Sequence, residues 1–192
     1  TFGNAVYFSA AVPGSGRELW KSDGTTAGTV LVRDILPSGD GIASRFDAVP
    51  FFGALYFAAD GGNGSELWRT QGTGATTVEV ADINPGNNDS RPKYLTSAGP
   101  FLAFQADDGS GAEPFVFDGL NATMLADLNS GGGSDPEGFF ASRGLVWFTA
   151  DAGSGSELHV TDGTTGGTRL VADVRPSGSA YAIPRFATAT QL

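Results

Sequence analysis

The sequence predicts an all-β fold: a β-propeller of four four-stranded antiparallel blades, its ring closed by pairing of the C-terminal strand with the N-terminal blade. Three observations lead there. One phrase returns along the chain, as "ELWKSDGTTAGT", "ELWRTQGTGATT" and "ELHVTDGTTGGT", with a worn copy, "EPFVFDGLNAT", before the last. Its leading residues, Glu18, Glu66, Glu113 and Glu157, are spaced by 48, 47 and 44, and a period in the forties suits a propeller blade. Around the phrase lie short apolar segments bounded by Gly, Asp, Ser or Pro, without helical periodicity. These read as strands joined by tight turns.

The elements follow in order within each repeat. An aromatic-centred run comes first, "AVYFSA", "ALYFAA", "FLAFQA" and "LVWFTA", around Phe8, Phe57, Phe104 and Phe148. Both of its faces carry apolar side chains, as a sheet packed between two neighbours requires. The phrase itself supplies the next strand and a turn. A third strand, "LVRDI" in the first repeat, brings Asp34, Asp82, Asp127 and Asp173. After a Pro/Ser/Gly-rich connection comes a segment opened by Phe46, Tyr94, Phe139 or Phe186, expected as the inner strand of the next blade. The repeats are therefore about 1–44, 45–92, 93–137 and 138–184, with 185–192 completing the first blade of a single domain, 1–192.

Composition narrows the function classes. Twenty-one acidic against 11 basic residues leave a net charge of −10, which argues against phosphate-backbone binding to nucleic acid and against an anionic membrane surface. No apolar run approaches a membrane-spanning length. There is no cysteine, so neither disulfides nor thiol chemistry enter. The start at Thr1 is what removal of a leader would leave, and the length suits one module of a longer protein.

"ELWKSDGTTAGT" with "LVRDI" resembles the ELWxxDGT repeat, found in tandem in large, mainly bacterial, surface or secreted proteins. The resemblance covers essentially the whole chain and is strongest in the first and last repeats. Gln71 departs from it in the second; Pro114, Phe115 and Leu120 depart in the third. It implies propeller-like β structure in an extracellular or cell-surface setting and no established reaction. The residues themselves agree. Asp23, Asp118 and Asp162 each precede glycine, a pairing that builds tight turns. Trp20 and Trp68, with Phe115 and His159 at matching places, are expected to pack between blades. The phrase is a building block.

The recurrent acids are the candidates for chemistry. Glu18, Glu66, Glu113 and Glu157 share strand parity with the aromatic two residues on, and Asp34, Asp82, Asp127 and Asp173 share it with apolar neighbours. A carboxylate on a packing face needs hydrogen bonds or a cation. The first reading is that these acids accept loop amides and fasten blades; the second is one metal or ligand site per blade. The loops "DGGNGSE", "DDGSGAE" and "DAGSGSE" could wrap calcium, with Asp60, Glu66, Asp107, Glu113, Asp151 and Glu157 as ligands. Their spacing is not that of an EF-hand, and a Gly/Asp/Ser hairpin is also ordinary turn chemistry. No other cofactor is expected.

Catalysis has little support. His159 is the one histidine and stands at a packing position. No nucleophile elbow is present, and "NSGGGSDPEG" lacks the lysine of a phosphate loop. Arg45, Lys93 and Arg185 precede inner-strand aromatics and could ring a channel mouth or pair with the acids. Asn63, Asn88 and Asn121 open N-glycosylation triplets. The leading expectation is a non-enzymatic structural or protein-interaction module of a secreted or cell-surface protein, with a protein partner or larger assembly. The alternative is a glycan-binding, lectin-like propeller assisted by calcium; a glycoside hydrolase comes third.

Overall fold

The computed structural model describes every residue except Arg45, Ile183 and 185–192. The chain is all-β and falls into two compact units, Thr1–Lys93 and Tyr94–Leu192. Each unit holds two antiparallel sheets whose strands follow one another in chain order. The first unit begins with β1 (Val6–Val12), β2 (Gly16–Ser22) and β3 (Val30–Arg33), then β4 (Ala48–Phe51), β5 (Ala54–Asp60), β6 (Ser65–Thr70) and β7 (Val78–Ala81). The second sheet pair comprises β8 (Lys93–Ala98), β9 (Phe101–Asp107), β10 (Ala112–Phe117) and β11 (Ala122–Met124), followed by β12 (Glu137–Ser142), β13 (Leu145–Asp151), β14 (Ser156–Thr161) and β15 (Arg169–Ala172). The four meanders are those expected from the repeat. Among the described residues the first sheet has three strands and the others four. The strand expected to complete it, 185–192, lies outside the described residues, as do Arg45 and Arg185.

The register repeats from sheet to sheet. Phe8 faces Trp20, Phe57 faces Trp68, Phe104 faces Phe115 and Phe148 faces His159. Two residues away, Ala10, Ala59, Ala106 and Ala150 face the recurrent glutamates. Directly paired residues share a face, so every sheet has one face of aromatic, alanine and glutamate. In the first unit that face of the second sheet (Phe57, Ala59, Trp68) packs on Leu19, Val32, Ile35 and Ile42 of the first. In the second unit Val146, with Phe139 and Ala141, meets Ala103, Val116 and Leu125 in the same sense. Face-to-face stacking of successive meanders is the packing of propeller blades. Trp68 thus sits between sheets as expected, whereas Trp20 is only half-buried.

Except between β10 and β11, the last two strands of each sheet are offset by a bulge, between Leu19 and Trp20, Leu67 and Trp68, and Leu158 and His159. An extra residue there increases the local twist. It also ends the parity on which the second set of acids was read. Asp34, Asp82 and Asp173 directly follow the last residue of their outer strands and Asp127 follows Met124 after Leu125 and Ala126; Asp82, Asp127 and Asp173 are exposed, with only Asp34 half-buried. The packing-face placement expected for them does not occur at Asp82, Asp127 and Asp173, while Asp34 keeps its Oδ1 buried.

Candidate functional site

Each repeat builds the same small polar device where β2, β6, β10 or β14 leaves its hairpin. The glutamate on that strand is buried, and its carboxylate reaches into the loop that carries the chain to the next sheet. Glu18 accepts the amides of Ile35 at 2.6 Å, Leu36 at 3.2 Å and Gly41 at 3.1 Å. Glu66 accepts the amides of Ile83 (2.8 Å) and Ser90 (3.1 Å) and the Ser90 hydroxyl (2.6 Å). Glu113 repeats this with the amides of Leu128 (3.1 Å) and Ser134 (2.9 Å) and the Ser134 hydroxyl (2.6 Å). Three donors to a buried carboxylate offset much of its desolvation. Burial still pushes the Glu18 and Glu66 carboxyls above the usual range, against the lowering pull of those bonds.

The fourth device is incomplete. Glu157 is 3% exposed and accepts one described bond, from the Val174 amide at 3.1 Å. Its Oε1 is buried without a partner among the described residues. Ser90 and Ser134 each precede a residue with positive φ, Arg91 and Asp135; in the fourth loop the residue before positive-φ Tyr181 is Ala180. The hydroxyl bond that Ser90 and Ser134 give to Oε2 has no donor at Ala180, and the Ala180 amide, which stands where theirs bond Oε1, donates to the Ser156 carbonyl.

The loop aspartates do separate work. Asp60 accepts the amides of Gly62 and Gly64, Asp107 those of Gly109 and Gly111, and Asp151 those of Gly153 and Gly155. Each thereby shapes its own hairpin. Gly64, at φ +97°, lies so close to the Asn88 carbonyl that a Cβ would overlap it; the glycine-rich loop is written for that approach. The register turns the two acids of each loop apart. Glu66 pairs with Ala59 while Asp60 pairs with Ser65, and the same offset separates Asp107 from Glu113 and Asp151 from Glu157. Neighbours along a strand point to opposite faces, so the six proposed calcium ligands are not brought together. Among the described residues no group of three or more His, Asp or Glu side chains could hold a metal ion.

The Asp-Gly turns close as read. Asp23 accepts the Thr25 hydroxyl (2.7 Å) and amide (2.9 Å), and Asp162 does the same with Thr164. The hydroxyl bond first, then the amide, holds each carboxyl below its usual range. Missed in the sequence was a hydroxyl pair across the turn, Ser22–Thr29, Thr70–Thr77 and Thr161–Thr168, at 2.7 to 2.8 Å. Its constant seven-residue spacing was the available signal. His159 is buried, stacked on Phe148 at 5.6 Å, and its Nδ1–H donates to the Glu157 carbonyl at 3.0 Å. Burial depresses its pKa, and the ring serves as packing.

No protein-family model matches the chain, and no curated protein matches it. Solved structures do. A prolyl endopeptidase structure matches at a TM-score of 0.58 and 11% identity over 88% of this chain. The acylaminoacyl peptidase of Pyrococcus horikoshii matches at 0.56 and 12% over 91%. A looser likeness, TM-score 0.36 and 13% identity, is to the β-propeller domain of a trilobed protease from Pyrococcus furiosus, over 93% of this chain and 71% of that one. The chain spans about a quarter of the two peptidases, 24% and 26% of their lengths. At such identities the likeness is one of fold. No helix is long and apolar enough to cross a membrane among the described residues.

Proposed function

We propose that this chain is a non-enzymatic protein-interaction module of propeller type, belonging to a secreted or cell-surface protein of the ELWxxDGT repeat kind. The observation that carries the reading is where the recurrent acids are spent. Glu18, Glu66 and Glu113 hold connecting loops through three bonds each, and Asp60, Asp107 and Asp151 shape hairpins. The motif therefore makes a rigid frame, and the loop ends are left to vary in sequence. Propellers that present such loops bind other molecules through them. In this reading the sheets are blades of a ring that residues 185–192 close beside the N-terminal blade.

The peptidase neighbours do not add a peptidase to the reading. The lone histidine is buried and bonded to its own strand's backbone, so it is not placed to serve a nucleophile as general base. The test runs two arms on the biotinylated chain. One is a glycan array in calcium and in EDTA; the other is cross-linking mass spectrometry against the secreted fraction of the source cells. Reproducible cross-links from loop residues to one protein, with a silent array, support the module. Binding to a defined sugar class, or turnover of a peptide or glycoside substrate, overturns it.

A further inference from the structure

We infer that this chain self-associates head to tail, the fourth sheet of one copy packing an open apolar face on the aromatic face of the first sheet of a second copy. The contact rests on the interaction reading above and gives it a partner. Its template lies inside the first unit, where Phe57, Ala59 and Trp68 of the second sheet cover Leu19, Val32, Ile35 and Ile42 of the first. Leu19 and Val32 belong to β2 and β3, while Ile35 and Ile42 ride on the connecting loop that the Glu18 clasp holds.

Both halves of that contact occur a second time, and there they are open. The first and fourth repeats align without a gap over this stretch, so Leu158, Val171, Val174 and Tyr181 each stand 139 residues after Leu19, Val32, Ile35 and Ile42. All four stay apolar or aromatic, but their exposure differs. Val32 is 8% exposed and Val171 42%; Ile35 is 5% and Val174 67%; Ile42 is 1% and Tyr181 78%. Leu158 is half-buried where Leu19 is fully buried. Apolar positions left open together, rather than singly, mark an interaction surface. The matching half is on the first sheet. Phe8, Ala10 and Trp20 hold the register positions of Phe57, Ala59 and Trp68 with the same residue types. They are half-buried where those counterparts are buried.

Complementarity names the occupant. A Phe-Ala-Trp face is what covers this apolar set in the first unit, and the first sheet presents another such face. Charge agrees. In the template Lys21 reaches the turn after β6 and donates to the Gly72 carbonyl at 2.7 Å. Val160 stands at the Lys21 position, but its cross-strand neighbour is the exposed Arg169. The turn that would receive this cation in the first sheet carries Asp23, where the second sheet has Gln71. Such a pair at the rim of a contact steers encounter more than it adds affinity. A contact between unlike faces either closes into a ring or runs on as a filament, and two copies sharing one ring would bring eight sheets, a blade count that propellers use.

Sedimentation equilibrium of the full chain over a concentration series tests this. The unmodified chain is expected to exceed monomer mass, and increasingly so as concentration rises. Val174→Asp spoils the fourth-sheet face and Trp20→Asp the first-sheet face. Each is expected to weaken self-association by about tenfold or more, because a carboxylate is then buried against apolar side chains. Each variant keeps the face that the other lacks, so an equimolar mixture is expected to form one-to-one heterodimers. Should Trp20→Asp not fold by circular dichroism, Val6→Asp alters the same face from a position that is 53% exposed. A chain that stays monomeric at every concentration overturns the second copy. The chain carries no cysteine, so bismaleimide bridging of Trp20→Cys to Val174→Cys within that monomer would assign the fourth-sheet face to the chain's own first sheet. A variant that associates as well as the unmodified chain, or a mixture without heterodimer, overturns the head-to-tail contact. None of these outcomes depends on the glycan array or on cross-links to secreted proteins, so a monomer refutes the self-contact and leaves the interaction module standing.

Discussion

Glu113 shows what one buried carboxylate is worth when its only partners are amides and a hydroxyl of a loop. Truncating it leaves the Leu128 and Ser134 donors buried without an acceptor, and each unmet buried donor costs about 1–3 kcal/mol. Glu113→Ala is expected to lower unfolding free energy by about 3 kcal/mol or more in urea titrations, a large part of an ordinary domain's stability. Glu113→Gln should cost less, since one carbonyl oxygen remains. His159 offers a pH readout. Its folded pKa lies below 6.5, so the unfolded chain binds the extra proton first as pH falls. The stability it contributes is full above about pH 6.5 and is lost as pH falls from there through the folded value. His159→Trp, the residue the motif uses, should flatten the stability profile across that window; an unchanged profile would mean the ring is not held neutral.

At the scale of the element, the connecting loop is as much a part of the sheet as its strands are. The loop after β3 is fixed by Glu18, and Asp40 accepts the Arg17 amide at 2.7 Å, as Asp89 accepts that of Ser65 at 2.9 Å. It then passes to the next sheet, where the Gly41 carbonyl accepts the Asp60 amide at 2.9 Å. Ala180→Ser is expected to give Glu157 Oε2 the hydroxyl bond that Ser90 and Ser134 give to the same oxygen of Glu66 and Glu113, adding about 1 kcal/mol, which for a chain of this size raises the melting temperature by about 2–4 °C. A calorimetric scan beside the wild type decides it, and no gain would show that a hydroxyl at this position does not reach Glu157 Oε2. The strands were legible from period, aromatic spacing and turn residues. The clasps were only half legible. Parity placed the glutamates on a packing face, but it failed for Asp82 and Asp173, where a bulge intervenes and the strand stops before them, and for Asp127, where the strand stops at Met124. The six-residue gap from Asp60 to Glu66 looked like a shared loop site. Hairpin register, which linear spacing does not carry, set the two on opposite faces.

For the whole molecule, four recurrences of one pattern made the fold class readable, since a feature seen once is ambiguous and a feature seen four times at a similar spacing is not. Function was less readable for the same reason: residues repeated in every sheet are those the frame needs. An acid recurring in each repeat drew attention as a ligand, although its partners are local amides. The net charge of −10 nonetheless makes cation binding a measurable question. A cation held by the folded state alone raises the melting temperature with its concentration. With the paired acids turned apart, the melting temperature is expected to be the same in millimolar calcium as in EDTA at equal ionic strength. A calcium-dependent rise would reinstate the loops as a site.

The clasp has a consequence for how such a chain can be cut and rejoined. Because each glutamate locks the connector that follows it, a repeat together with its outgoing loop is a self-contained cassette, and the Asp-Gly-Thr turns between outer strands are closed by their own hydroxyls and amides. New termini opened at Asp23–Thr29 or Asp162–Thr168 would sever only a surface turn, whereas termini opened between Ile35 and Gly41 would release a buried carboxylate. Duplication, loss and permutation of repeats are thus cheapest when the breakpoint falls in the phrase "DGT", a seam along which genes for such proteins can lengthen or shorten without redesigning any interface.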